Sequence, residues 1–262
     1  MTWAPPSFER ILITNDDGIE ASGLKLLEDI AGALSDEVWV IAPQSEQSGA
    51  GHSLTLSEPM RIRRLNRRRF AISGTPTDSV MLALNHIMKD QPPTLLLSGI
   101  NRGVNLAEDL TYSGTVAAAF EGSLAGVPSL ALSQERRRDQ RRADWEVAAA
   151  HTEVLLRDLV AAGWPEGVCL NINFPSAERG PLKGRRVTCQ GRRDLGRLRV
   201  DERLDPRGFP YYWFDLRRDG ETSAEASDLW AVQNGWVSIT PLHLDLTHKD
   251  TLAQLTARLD QD

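Results

Sequence analysis

The first part of the chain alternates between short apolar runs and longer segments whose apolar positions recur at helical spacing. Residues 11–13 form a mostly β-branched apolar run that stops at polar residues 15–18, which predicts a strand buried on both faces. Residues 22–34 carry apolar side chains along one helical face, and residues 38–42 form a second buried strand. These three segments predict a βαβ unit with a right-handed crossover.

The alternation continues to about residue 132. A Gly-Thr-Pro-Thr-Asp turn at residues 74–78 opens the next predicted helix, with Thr77 or Asp78 as its cap. Buried strands are predicted at residues 94–97 and 127–132, with an alanine-rich helix at residues 116–125 between them. An arginine-rich stretch at residues 54–70 interrupts this pattern, and we expect it to be an extended hairpin that leaves the main sheet.

The pattern becomes looser in the last third of the chain. An amphipathic helix at residues 144–162 and a strand at residues 168–174 are followed by a region rich in Arg, Gly and Pro at residues 175–219. Short extended pieces are predicted within it at residues 186–189 and 210–214, and then a short helix, a strand and a terminal helix at residues 228–234, 236–240 and 251–259.

These elements predict an α/β fold: a three-layer α/β/α, Rossmann-like core around a mostly parallel sheet. We expect one domain over residues 1–262, with a core at about 8–175 and an irregular C-terminal extension at about 176–262. The sequence has no internal repeat and no clear linker that would separate two domains.

The composition is that of an ordinary globular protein, with 262 residues of which 41% are hydrophobic and 25% charged. The sequence contains neither a membrane-spanning apolar run nor a secretory signal, and its two cysteines lie far apart. We therefore expect a cytoplasmic protein without a membrane partner. The net charge of −6 gives no reason to expect a stable nucleic-acid partner.

Two arginine-rich runs depart from this acidic balance. The first run lies at residues 61–69 and the second at residues 136–142. Each run could face a polyanion, but such runs are more often solvated loops or hairpins, and we favour the solvated interpretation for both.

Three polar loops follow predicted strands, at residues 15–18, 45–53 and 98–105. If the strands are parallel, the three loops meet at one edge of the sheet, where open α/β folds bind ligands. The loops offer carboxylate, hydroxyl and carboxamide oxygens, which suit Mg²⁺, Mn²⁺ or Ca²⁺ better than zinc. For this segment alone, the alternative in which Asp16 caps the following helix and Asp17-Gly18 only forms a turn is about as well supported as a cation site.

A helix start at Ser113-Gly114-Thr115 adds backbone N–H donors that favour an anion. A metal site beside an anion site indicates phosphoryl chemistry.

Five blocks of sequence occur in the order found in one protein family. They are NDDGI at residues 15–19, AP with QSGAGHS at 42–43 and 47–53, GTPTD at 74–78, SGINRGVN at 98–105 and YSGTV at 112–116. With these blocks the chain resembles the SurE family, the survival-protein-E 5′-nucleotidases. The resemblance spans nearly the whole chain, because VSITPL at residues 237–242 also looks like the late strand of the family.

The resemblance implies a divalent-metal-dependent phosphomonoesterase that acts on nucleoside 5′-monophosphates, with 3′-nucleotides and short polyphosphate as side activities. The metal ligands of the family fall on Asp16, Asp17, Ser48 and Asn101, and the phosphate-binding residues on Asn105, Ser113, Gly114 and Thr115. One divalent ion per subunit is implied, Mg²⁺ or Mn²⁺, with Ca²⁺ as an occupant in crystals. The family also forms homodimers or homotetramers, with a C-terminal hairpin exchanged between subunits.

Within this expectation, Asp16, Asp17 and Asn101 carry the catalysis. Our first hypothesis is in-line attack by a metal-activated water, and the alternative is Asp16 as a nucleophile that forms an aspartyl-phosphate. His52 is a candidate general acid, although a lone loop histidine more often only forms hydrogen bonds. Two rival functions stay open: a non-catalytic nucleotide sensor and a metal-dependent nuclease. The one local departure from many relatives is Ser79, where they carry Cys, and it affects no ligand.

Overall fold

In a computed structural model, described over residues 5–136, 144–193, 198–216 and 224–260, the chain forms an α/β fold. Its strands are β1 (Ile11–Thr14), β2 (Val38–Pro43), β3 (Ile62–Arg64), β4 (Arg69–Ile72), β5 (Leu95–Arg102), β6 (Ser129–Gln134), β7 (Cys169–Phe174), β8 (Arg185–Val187), β9 (Leu198–Leu204), β10 (Pro210–Leu216) and β11 (Val237–Leu242). Its α-helices are α1 (Ser22–Leu34), α2 (Pro76–Leu82), α3 (Gly114–Leu124), α4 (Glu146–Ala162), α5 (Asp228–Gln233) and α6 (Lys249–Leu259).

In the described part of the chain, nine strands form one sheet in the order β3-β4-β2-β1-β5-β6-β7-β11-β8. The strands from β4 to β7 in this order are all parallel to their neighbours. Strands β3 and β11 pair antiparallel at the two ends, and β8 follows the direction of β11. The prediction of a mostly parallel sheet is therefore confirmed, and the carboxyl ends of β1, β2 and β5 lie at one edge.

Helices cover both faces of this sheet. Ile11 and Ile13 of β1 pack with α1 and α4 on one face, whereas Leu12 packs with α2 and α3 on the other. Successive strand side chains point to opposite faces, so an unbroken apolar run is what a doubly covered strand requires. The predicted three-layer arrangement is confirmed.

Two local predictions are corrected. Helix α2 is capped by Thr75 rather than by Thr77 or Asp78: the Thr75 hydroxyl accepts from the Asp78 N–H at 3.1 Å, and the Asp78 carboxylate accepts from the Thr75 N–H at 2.9 Å. This reciprocal pair is a capping box, which places Asp78 at the third helical position.

The arginine-rich stretch does not leave the main sheet. Its second strand, β4, pairs in parallel with β2, because Phe70 stacks on Trp39 with ring centroids 6.1 Å apart and Ala71 and Ile72 are buried. Arg69 bonds Glu28 and the Ile19 carbonyl oxygen. Arg69 therefore departs from the solvated interpretation of this run, whereas Arg61, Arg63, Arg64 and Arg67 are exposed as that interpretation expects.

In the second run, Arg136 is described, whereas residues 137–142 lie outside the described residues. The C-terminal extension contains an antiparallel hairpin, β9–β10, whose strands pair only with each other in the described part. Its Tyr212, Trp213 and Phe214 are exposed. Helix α6 exposes all of its residues. No helix among the described residues is long and apolar enough to cross a membrane.

Candidate active site

The three predicted loops meet at the carboxyl edge of the sheet. The N–H of Gln47, in the loop after β2, donates to the Asp16 carbonyl oxygen at 2.7 Å. The N–H of Arg102, at the end of β5, donates to Asp17 Oδ2 at 3.2 Å. The Gly51 N–H donates to the Tyr112 carbonyl oxygen at 3.2 Å, which ties the second loop to the segment before α3. The edge is therefore held by direct bonds among its loops.

The turn after β1 is formed by Asn15 rather than by the two aspartates. Asn15 Nδ2 donates to the Gly18 carbonyl oxygen at 2.9 Å. Helix α1 has Ala21 at its N-cap position and no side-chain cap. Neither aspartate caps α1, and neither carboxylate is used to close the turn, so both carboxylates are available to other partners.

Asp16 is enclosed by the start of α3. It is only 4% exposed, and its Oδ1 accepts a hydrogen bond of 2.6 Å from the Thr115 hydroxyl. Burial raises the pKa of Asp16 to about 6, the bonds from Thr115 oppose this rise, and the charge of Asp17 adds to it. A buried carboxylate with a raised pKa is one whose charge the protein alone does not compensate fully.

Gly114 permits this close approach of α3 to Asp16. A Cβ at Gly114 would lie 2.8 Å from Asp16 Cβ and 3.2 Å from its Oδ2. No real side chain fits at such distances, so any larger residue would displace the carboxylate or the helix.

Asp17 has a more open environment. It is half-buried, and burial raises its pKa, whereas the N–H and the charge of Arg102 lower it and the charge of Glu46 raises it. The two aspartates thus lie toward different faces of the sheet: Asp16 against α3, and Asp17 toward α1.

Asn101 and Ser48 complete the predicted oxygen donors. Asn101 lies within β5 rather than beyond it, because the strand extends through a register irregularity between Ser98 and Asn101. Asn101 Nδ2 donates to the Gly103 carbonyl oxygen at 2.8 Å, and no described residue donates to Asn101 Oδ1. The Ser48 side chain is exposed and donates to Glu46 Oε1 at 3.0 Å, which leaves its oxygen lone pairs available.

The residues at the start of α3 are already partly engaged. The Ser113 hydroxyl caps the helix by accepting from the Val116 N–H at 3.1 Å. The hydroxyl and the N–H of Thr115 are directed to Asp16. Among the first N–H groups of α3, that of Gly114 has no acceptor within the described residues. The helix terminus thus stabilises Asp16 first and leaves a smaller donor set for an anion than the sequence suggests.

Asn105 is anchored by side chains that sequence reasoning did not select. Its Nδ2 donates to the Ser133 hydroxyl at 2.9 Å, and its N–H donates to Asn173 Oδ1 at 2.8 Å. Its carbonyl oxygen accepts from Nδ2 of Asn171 and Asn173 at 2.9 and 3.1 Å. The available signal was two asparagines alternating with apolar residues in a buried strand, where unpaired polar groups are costly.

His52 lies on the side of α3. Its Nε2 is 2.6 Å from Glu121 Oε1, and its ring stacks on Phe120 with centroids 6.2 Å apart. Glu121 comes seven residues after Gly114, which is about 10 Å along the helix axis. The His52 ring therefore contacts α3 about two turns beyond the helix start that bonds Asp16, although the neighbouring Gly51 lies at that start.

The residues present fit a hard divalent cation. Two carboxylates, a carboxamide oxygen and a hydroxyl form an all-oxygen donor set, and the buried Asn15 Oδ1 beside them has no partner in the described part of the chain. No three His, Cys, Asp or Glu side chains come together as a metal site among the described residues. A cation here would thus depend on Ser48 and Asn101 as well as on the aspartates.

The chain is similar to known proteins of one family. The family model "Survival protein SurE" matches residues 11–197. The 5′-nucleotidase SurE of Brucella anthropi is 52% identical over 95% of this chain and 97% of the relative. That of Parvibaculum lavamentivorans is 51% identical over 95% of this chain and 91% of the relative. The crystal structure of the SurE protein from Aquifex aeolicus is 39% identical, with a TM-score of 0.80 over 96% of this chain and all of that one.

Proposed function

Because the chain belongs to the SurE family, we propose that it is a 5′-nucleotidase that releases phosphate from nucleoside 5′-monophosphates with the help of a divalent cation. The observation that carries this proposal is the junction of Asp16 with α3. Asp16 offers a buried carboxylate for a cation, and the start of α3 offers a helix N-terminus for a phosphate. A phosphomonoesterase needs both within a few ångströms of one another.

The donor set and the family support the cation. The SurE family generally uses a divalent metal, and we assign its binding to Asp16, Asp17, Ser48 and Asn101, with Mg²⁺ or Mn²⁺ as the ion and one ion per subunit. When bound, such a cation neutralises phosphate charge and increases the acidity of water beside it.

The chain itself orients each of these donors. The Thr115 hydroxyl fixes Asp16 Oδ1, and the Arg102 N–H fixes Asp17 Oδ2. The Gly103 carbonyl oxygen holds the Asn101 amide so that Oδ1 is presented. Prior orientation of this kind avoids reorganisation during the reaction, and loss of such supporting bonds typically costs about 10- to 100-fold in metal affinity or activity.

We assign phosphate binding to the start of α3 and to the loop that carries Asn105. The Gly114 N–H and the positive end of the helix favour the negative charge that the phosphoryl oxygens carry in the transition state. The bonds from Asn105 to Ser133 and Asn173 hold its loop at this edge.

Water attacks the phosphorus in line in our preferred mechanism, and the alternative is attack by Asp16 itself. Asp16 Oδ1 already accepts a 2.6 Å bond from Thr115, and burial encloses the side chain, which favours a holding role over an attacking one. Rapid quenching in acid with a labelled substrate distinguishes the two mechanisms, because an aspartyl-phosphate survives the acid. Absence of labelled protein supports water attack, and a trapped aspartyl-phosphate overturns it.

We also propose 3′-nucleotides and short polyphosphate as side substrates, and a homodimer or homotetramer formed through the β9–β10 hairpin. The exposed aromatic side chains of that hairpin support the assembly, since large exposed apolar patches mark interaction surfaces. Light scattering of the full chain and of Trp213→Ser tests it: a smaller assembly in the variant is expected, and an unchanged mass contradicts the hairpin contact.

The decisive experiment measures phosphate release from nucleoside 5′- and 3′-monophosphates with Mg²⁺, with Mn²⁺ or with EDTA. We expect cation-dependent release that falls by more than about 100-fold in Asp16→Asn, because a ligand carboxylate should matter more than a supporting residue. Asp29→Asn, an exposed aspartate on α1, is the matched control and should keep its activity.

The same panel separates the rival functions. Nucleotide binding without release of phosphate in any cation would indicate a sensor. Cleavage of internal linkages in an oligonucleotide, with binding that weakens steeply as salt rises, would indicate a nuclease.

A further inference from the structure

A cleft of about 200 Å³ lies beside Asp17, toward α1 rather than α3. Besides Asp17, its lining includes Ser22 and Gly23 at the start of α1, Glu46 from the loop after β2, Arg102 from β5 and Trp145. Asp17 thus belongs both to the proposed cation site and to the wall of this cleft. A molecule held at the cation site has the cleft as its neighbour.

Trp145 is fixed in this wall by the start of α1. It immediately precedes α4, is only partly buried, and its Nε1 donates to the Ser22 hydroxyl at 3.2 Å. A Cβ at Gly23 would lie 2.9 Å from Trp145 Cη2 and 2.0 Å from the Ile100 carbonyl oxygen. Only glycine lets α1, β5 and the indole ring meet so closely, so the ring is held in place before any ligand arrives.

Without a bound cation, Asp17 and Glu46 make the cleft unfavourable for a phosphate, and its mixture of acceptors and a donor suits an uncharged heteroaromatic ring. Asp17 and Glu46 repel an anion, and they accept hydrogen bonds, while Arg102 donates them. An aromatic wall flanked by acceptors and a donor is the combination with which proteins bind bases, through stacking and hydrogen bonds to the ring edge. The start of α3, on the other side of the aspartate pair, has the opposite preference.

We propose that this cleft binds the nucleobase of the substrate and that Trp145 provides its stacking surface. This inference rests on the proposed nucleotidase function and adds the place where the nucleoside lies. The phosphate then lies at α3, the two aspartates lie between, and the base lies against Trp145. Selection of nucleotides over other small phosphomonoesters follows from the cleft.

The test compares nucleoside monophosphates with ribose 5-phosphate, which has the same phosphoester but no base. In Trp145→Leu we expect the ratio of kcat/KM for AMP to that for ribose 5-phosphate to fall by about ten-fold, within the range known for loss of one base–aromatic stack. The change should lie in KM and should be larger for AMP than for UMP, because a purine offers more stacking area. Trp145→Phe should restore most of the ratio, and Val154→Ala, an exposed position on α4, should leave it unchanged.

A Trp145→Leu protein that loses activity toward AMP and ribose 5-phosphate equally would overturn the inference, since the ring would then be only structural. The affinity for adenosine, which has no phosphate, measured by calorimetry, tests binding in the cleft independently of turnover. If the wild type hydrolyses no nucleotide, the proposed function fails. The cleft is then still supported if adenosine binding weakens about ten-fold in Trp145→Leu, and overturned if adenosine binding is absent or unchanged.

Discussion

The two sides of the aspartate pair differ although Asp16 and Asp17 are adjacent in the sequence. On the α3 side, Asp16 is 4% exposed, bonded by Thr115 and in close contact with Gly114. On the α1 side, Asp17 is half-buried and borders an open cleft with Trp145. Both residues lie in the bend that follows β1, beyond the alternation of the strand, so the turn that Asn15 closes onto the Gly18 carbonyl oxygen sets their two directions.

This difference teaches how one strand end can serve two tasks. The α3 side is closed and has little freedom, which suits a reacting group that must be held to a fraction of an ångström. The α1 side has space and mixed charge, which suits the part of a substrate that varies. The following predictions change one side at a time.

The largest effect is expected from closing the remaining space on the α3 side. Gly114→Ala places a methyl group 2.8 Å from Asp16 Cβ, so the carboxylate or the helix must shift. A misplacement of about 1 Å can cost about 100-fold in rate, which is the loss in kcat that we expect. Gly32→Ala on α1, where a Cβ would meet nothing within 4 Å, is the matched control. A Gly114→Ala enzyme with normal kcat would show that the close contact is not needed.

A second prediction concerns the stability of the metal-free protein. The pKa of Asp16 in the folded state is about 6, above its usual 3.8, so folding favours the protonated form. This contribution to stability is complete below pH 3.8 and is lost as the pH rises through 6. In EDTA at pH 8, the free energy of unfolding of Asp16→Asn should therefore exceed that of the wild type by up to about 3 kcal/mol, which corresponds to the rise in the pKa of Asp16 from 3.8 to about 6.

Denaturant unfolding of both proteins from pH 4 to pH 8 measures this difference. The advantage of the Asn variant should shrink toward zero at pH 4, and adding Mg²⁺ should remove it at pH 8 by stabilising only the wild type. An equal difference at every pH would mean that packing, and not charge, distinguishes the two proteins.

Much of this arrangement is predictable from the sequence because burial leaves a clear pattern. The run at residues 11–13 predicts β1 because both faces of the strand must be apolar, and Ser113-Gly114-Thr115 predicts the start of α3, where the structure has the Ser113 hydroxyl as the cap. The family blocks select Asp16, Asp17, Ser48 and Asn101, and the structure brings the loops that carry them to one edge.

The features that the sequence did not predict depend on contacts between distant residues. The bond from Thr115 to Asp16 joins positions 99 apart, and no local pattern indicates it. The network of Asn105, Ser133 and Asn173 contradicts the rule that buried strands are apolar, and only the fold supplies its partners. Trp145 reads as an ordinary helix-start residue until α1 is placed beside it.

A third prediction concerns the bond that holds Asp16. Thr115→Val keeps the shape of the side chain but removes the hydroxyl donor at 2.6 Å, so we expect a loss of about ten-fold in activity and in affinity for Mg²⁺, as for other supporting bonds of metal ligands. Thr115→Ser retains the hydroxyl and should restore most of both. Steady-state kinetics at varied Mg²⁺ measure the effect, and a Val variant equal to wild type would show that burial alone positions Asp16.

The smallest effect is expected at His52, the candidate general acid. Its Nε2 is already bonded to Glu121 at 2.6 Å, about 10 Å along α3 from the helix start, so its position favours anchoring the loop that carries Ser48 over protonating a leaving group. His52→Asn and Glu121→Gln should then lower kcat to a similar extent and by less than about ten-fold, whereas loss of a general acid costs about 10²- to 10⁴-fold. If His52→Asn alone lost 100-fold in kcat, with Glu121→Gln near wild type, the imidazole would have to reach the substrate. The α3 side would then supply a proton donor as well as a rigid support.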